Sequence, residues 1–79
     1  MQINRTRLSA HHLRAFVHLV ELRSFTRAAA ASHLSQPAFS ALIRALEAEV
    51  GAQLFDRSIR QVALTAAGRD FYGGAQRVW

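Results

Sequence analysis

The proline at position 37, set in Ser35-Gln36-Pro37-Ala38-Phe39-Ser40, constrains the fold more than any other feature of the chain. Proline is excluded from a helix interior but tolerated in a first turn, where amide hydrogens have no acceptor within the helix. A helix therefore starts here with Ser35 in the capping position, and the Ala28-Ala29-Ala30-Ala31 run before it belongs to a separate, shorter helix. The second helix opens on small hydrogen-bonding side chains, as a helix does when its N-terminal end must approach another surface closely. Within it Phe39, Ile43, Leu46 and Val50 form a buried stripe, while Gln36, Pro37, Ser40, Ala41 and Arg44 fall on the opposite side. Gly51 ends it.

The remaining segments fall around this pair. From Ser9, a capping residue, Leu13, Phe16, Val17 and Val20 recur at helical spacing and predict a first helix over 10–23. Ser24 caps a second over 25–33, whose alanines let neighbouring helices approach closely. Gln53 to Arg57 and Gln61 to Thr65 alternate as strands do and predict a small hairpin joined through Ser58-Ile59-Arg60. Thr65 caps a fourth helix through Ala66, Phe71, Ala75 and Val78, in which Gly68, Gly73 and Gly74 each lower intrinsic stability by about 1 kcal/mol relative to alanine. The order helix, helix, helix, hairpin, helix defines a mainly α fold, a winged helix-turn-helix with a three-helix core, a β-hairpin wing and a C-terminal linker helix.

Seventy-nine residues suffice for one small domain. We expect a flexible arm over 1–8 carrying Arg5 and Arg7, the winged unit over 9–65, and over 66–79 the start of a helix that continues in a longer native chain. Ten arginines and no lysine stand against five acidic residues, a net charge of +5 that suits a polyanion. From Leu22 to Leu46 no acidic residue occurs, while Arg23, Arg27 and Arg44 lie inside that stretch. Double-stranded DNA is the partner this pattern fits. With no cysteine, thiolate metal sites and cysteine nucleophiles are excluded. No apolar run reaches the ~20 residues that span a bilayer, and Met1 to Ala10 lacks the apolar core of a signal peptide, so a cytoplasmic protein without membrane contact is expected. His11, His12, His18 and His33 have no carboxylate or cysteine cluster beside them, and no glycine-rich elbow or phosphate loop organises the serines. Neither an enzyme nor a cofactor or metal site is expected.

Ser24-Phe25-Thr26-Arg27-Ala28-Ala29, Ser35-Gln36-Pro37-Ala38-Phe39-Ser40, Leu46-Glu47, Gly51, Leu54-Phe55-Asp56-Arg57 and Leu64-Thr65-Ala66-Ala67-Gly68, in this order, resemble the DNA-binding domain of bacterial LysR-type transcriptional regulators. The resemblance covers nearly the whole chain. It implies that Gln36, Pro37 and Ser40 enter the major groove of an operator or promoter, that Arg57 and Arg60 on the wing meet phosphates, and that the last helix pairs two subunits. It also implies an effector-binding domain beyond Trp79. Two departures from the family pattern stand out: Ala41 and Leu42 stand where Arg and Gln are frequent, and Ser32 stands where a leucine is common, so that either packing there is looser or Leu34 supplies the missing bulk.

The residues themselves allow more than one role. Ser24, Thr26 and Ser35 sit where helix starts can hold phosphate, or serve as caps alone. Gln36 has the donor and acceptor for a bidentate contact to adenine, Pro37 and Ala41 suit a thymine methyl, and Ser40 suits several bases. Arg27, Arg44, Arg57 and Arg60 are phosphate anchors or solvated surface residues, and Arg44 is spaced to pair with Glu47. Phe71, Tyr72, Ala75, Val78 and Trp79 form a dimer seam or ordinary core; the seam is the expectation, because a terminal helix with three glycines needs a partner. The alternatives for the whole chain are an architectural DNA binder without strong sequence preference, or a protein-interaction module.

Overall fold

A computed structural model describes residues 10–58 and 61–78, with side chains described as far as Gly74. The expected arm, the Ser9 cap and the wing residues Ile59 and Arg60 lie outside the described residues, as do Trp79 and the side chains of Ala75 and Val78. Four helices follow in order: α1 over Ala10–Leu22, α2 over Phe25–Ala31, α3 over Gln36–Val50 and α4 over Ala66–Val78. Helices α1, α2 and α3 enclose the core, in which Phe16, Leu19, Phe39, Ile43 and Leu46 are fully buried and Ala15, Ala28 and Ala29 fill the narrow places between backbones.

The helix boundaries have local causes. Ser24 and Ser35 both hold extended backbone and accept from the amide three residues on, Arg27 N at 3.1 Å and Ala38 N at 3.2 Å. Helix α2 ends two residues before the expected His33. His33 instead adopts a left-handed backbone with φ 59°, its amide donates to Ala30 O, and the Leu34 amide donates to Ala29 O. That pairing satisfies carbonyls at the end of a helix and is usually built on glycine. Gly51, at φ 86°, closes α3 in the left-handed region that glycine occupies without strain.

Two expectations about packing are corrected. The buried face of α1 is Ala15, Phe16 and Leu19, with Val17 and Val20 at its margin, so the stripe is rotated from the expected one. Leu34 does not replace bulk at Ser32. It is 39% exposed, and the Ser32 hydroxyl instead lies 3.2 Å from Nδ1 of His18, bridging the end of α2 to α1.

The wing is shorter than the expected hairpin. Leu54 and Phe55 are buried, and among the described residues one antiparallel bridge joins Phe55 to Leu64, supported by Asp56 N to Ala63 O at 2.8 Å and Thr65 N to Leu54 O at 3.0 Å. In this pairing the Phe55 amide points away from the opposing strand, and it and the Leu54 amide donate to the Glu47 carboxylate, at 3.2 and 2.8 Å. Thr65 then caps α4, accepting from Gly68 N at 2.9 Å while donating to Gln53 O at 2.6 Å. Gly68 is buried against the wing: a Cβ there would stand 2.1 Å from the Leu54 carbonyl oxygen.

Candidate nucleic-acid interface

The caps of α2 and α3 bring the first turns of both helices side by side. On α3, Gln36, Pro37, Ala41 and Arg44 are exposed and Ser40 is half-buried, opposite the buried Phe39, Ile43 and Leu46. On α2, Thr26 and Arg27 are exposed. The Thr26 hydroxyl donates to Oε1 of Gln36 at 3.1 Å, the one side-chain hydrogen bond described between the two first turns. Neither turn carries an acidic residue, so the partial positive charge of the helix starts and that of Arg27 and Arg44 are not offset nearby. Ser24 and Ser35 are engaged as caps, which leaves each hydroxyl proton, but only part of the oxygen's accepting capacity, for another group.

The arginines divide. Among the described residues Arg27 and Arg44 form no ion pair, and the spacing that suggested an Arg44 to Glu47 pair is not used. Glu47 faces the wing. Its Oε2 accepts from Nη1 of Arg57 at 3.0 Å as well as from the two wing amides, and the same Nη1 lies 3.3 Å from Phe55 O. Arg57 is therefore first a tie between α3 and the wing, with its other guanidinium nitrogens directed to no described acceptor. This role of Glu47 escaped the sequence expectation, although the signal was present: position 47 is four residues after Ile43 and three before Val50, inside the buried stripe. The following turn is held by Asp56, which accepts from the Ser58 amide and hydroxyl, at 2.9 and 2.5 Å. Those two bonds hold the Asp56 carboxyl below the ordinary aspartate value of 3.8.

Phe71 and Tyr72 are not a free seam. Both rings meet Phe16 edge-on, at centroid distances of 5.0 and 6.0 Å, which docks α4 on the core and leaves the two side chains half-buried. The expectation that these two residues are exposed is thereby corrected to a shared position, part core and part surface.

The four histidines line one cleft of about 630 Å³ between α1 and the turn after α2, together with Arg14, Ser32, Leu34 and Leu42. Among the described residues no group of three potential ligands is close enough to hold a metal ion. No described helix is long and apolar enough to cross a membrane.

Residues 10–69 match the family described as bacterial regulatory helix-turn-helix proteins, lysR family. Over 71 residues, 90% of the chain, it is 44% identical to the uncharacterised HTH-type transcriptional regulator YnfL of Escherichia coli (strain K12), and covers 24% of that protein. Among solved structures it is similar to the BenM DNA-binding domain in complex with benA site 1 DNA, at TM-score 0.83 and 43% identity, covering 89% of this chain and 79% of that one. It is likewise similar to Vibrio fischeri DarR in complex with DNA, at TM-score 0.85 and 37% identity, covering 89% of this chain and 24% of that one. The chain thus spans about a quarter of the length of relatives such as YnfL.

Proposed function

The chain belongs to the lysR family of bacterial regulatory helix-turn-helix proteins, and from that premise we propose that it is the sequence-specific DNA-reading part of a transcriptional regulator. The observation that carries this is the exposed first half of α3, where Gln36, Pro37, Ala41 and Arg44 stand on a stretch without acidic residues. A helix of this kind fits the major groove end-on. Gln36 and Ser40 meet base edges, the Pro37 ring and Ala41 methyl meet a thymine methyl, and Arg27 and Arg44 neutralise phosphates. Ser24, Thr26 and Ser35 stand at the helix starts beside the backbone. On the wing, Arg57 reaches phosphate with the nitrogens that Glu47 does not use, and Arg60, which lies outside the described residues, is proposed beside it.

The domain division is part of the same proposal: a winged unit over 9–65 and a linker helix from residue 66 that pairs with a second copy through the exposed parts of Phe71 and Tyr72 and through Ala75, Val78 and Trp79. The relatives are several times longer, which leaves room for the effector-binding domain proposed after this segment, and the whole is proposed as a cytoplasmic regulator. The relatives are transcriptional regulators, and the chain is not an enzyme.

Selection of bound duplexes from a random library at moderate salt tests this. The expected result is an enriched motif with dyad symmetry and half-sites about 34 Å apart, or a multiple of that. Retention without enrichment would make the protein an architectural binder, and no retention an interaction module. Gln36→Ala should cost about 1–3 kcal/mol on the selected site and relax one position of it, with little change on random duplex.

A further inference from the structure

The base that Gln36 prefers is set by a residue outside α3. A glutamine side chain carries an acceptor oxygen and a donor nitrogen on the two branches of one planar amide, so fixing one branch fixes what the other presents. Here the Thr26 hydroxyl donates to Oε1. The amide is thus turned with its oxygen towards α2 and its Nε2 on the other branch. The backbone is held at both ends of this bond. Thr26 lies two residues past the Ser24 cap and Gln36 one residue past the Ser35 cap, and both caps are closed by hydrogen bonds to backbone. Thr26 is also β-branched, which restricts the torsion that carries its hydroxyl. In the free protein both residues are exposed and water competes for the bond. In a groove that excludes water the same bond is stronger.

We propose that Thr26 is a positioning residue that makes Gln36 a hydrogen-bond donor to DNA, so that the base facing Gln36 is selected as a keto base, guanine or thymine, over an amino base, adenine or cytosine. This rests on the proposal that α3 reads base edges. At the major-groove position where guanine O6 and thymine O4 accept, adenine N6 and cytosine N4 donate, so a donor aimed there is rejected by the two amino bases, and adenine keeps only its N7 acceptor. A bidentate contact to adenine, which Gln36 on its own could make, needs Oε1 to accept from N6, and Thr26 takes one of its two lone pairs and turns the oxygen towards α2.

The test is the duplex selection repeated with four further variants of the full chain: Gln36→Ala, Thr26→Val, Thr26→Ser and Thr26→Ala. Gln36→Ala locates the position that Gln36 reads. At that position the parent chain should favour guanine or thymine over adenine or cytosine by about tenfold, the discrimination one well-made base contact gives. Thr26→Val keeps the shape and removes the hydroxyl. It should lose most of that preference and admit adenine, with the other positions of the motif unchanged. Thr26→Ser restores the hydroxyl and should restore the preference, a pattern that loss of a phosphate contact does not produce. Thr26→Ala serves as the second hydroxyl-free variant should the valine disturb α2, with thermal unfolding as the control. A motif unchanged by both hydroxyl-free variants, or weakened evenly at every position, overturns the role of Thr26 while leaving base reading by α3 in place. A parent chain that enriches no motif overturns both.

Discussion

Glu47 is 9% exposed, and its carboxylate serves three donors at once, the amides of Leu54 and Phe55 and Nη1 of Arg57. Its removal strands two buried amide hydrogens, whereas removal of Arg57, whose side chain is 32% exposed, leaves the amides bonded. Glu47→Ala should therefore lower unfolding free energy by about 2–4 kcal/mol, the cost of orphaned buried donors. Arg57→Ala should cost about 1 kcal/mol or less, as for a partly solvated pair. Denaturant unfolding of the two variants separates these values. Asp56 makes a smaller, pH-dependent contribution. Its bonds to Ser58 lower its pKa in the folded state, so the stabilisation they give is present above the unfolded value and is lost as pH falls through the lower folded one, below 3.8. Carboxyl titration followed by NMR should find Asp56 half-protonated below that value, and Ser58→Ala should return it towards 3.8.

At the scale of elements, the starts and ends of helices were legible because each depends on one or two neighbouring residues. Ser24, Ser35, Pro37, Thr65 and Gly51 each do what their chemistry suggests. What the sequence concealed depends on residues far apart in the chain. The wing amides of Leu54 and Phe55 found the Glu47 carboxylate, and the rings of Phe71 and Tyr72 found Phe16. The glycines of α4 show the same limit, since their composition alone treats them as equal. Gly68 admits no side chain, because the Leu54 carbonyl occupies the place of its Cβ, while nothing lies within 4 Å of that place at Gly73 or Gly74. Gly68→Ala should force α4 off the wing and reduce the thermal midpoint. Gly74→Ala should raise stability by up to about 1 kcal/mol, as expected where alanine fits a helix without strain. A calorimetric comparison of the pair checks both signs.

For the whole molecule, charge and shape act together. The fold gathers the acid-free stretch from Leu22 to Leu46 into α2, its following turn and most of α3, so Arg23, Arg27 and Arg44 stand without acidic residues between them where the duplex is proposed to lie. Binding should weaken steeply with salt, and Arg44→Ala should reduce the slope of log affinity against log salt by about 0.9, the share of one phosphate. Titrations at several salt concentrations on selected and random duplex should give this same change on both. The arrangement around Glu47 carries one more consequence. An extended segment with unpaired amides is a template on which another chain can build a strand, and proteins must blunt such edges to stay in solution. At the wing the side chains of Leu54 and Phe55 are buried beside the Phe55 to Leu64 bridge, and only their amides would need partners. The helix carboxylate takes up both amides from within, so neither is left for such pairing.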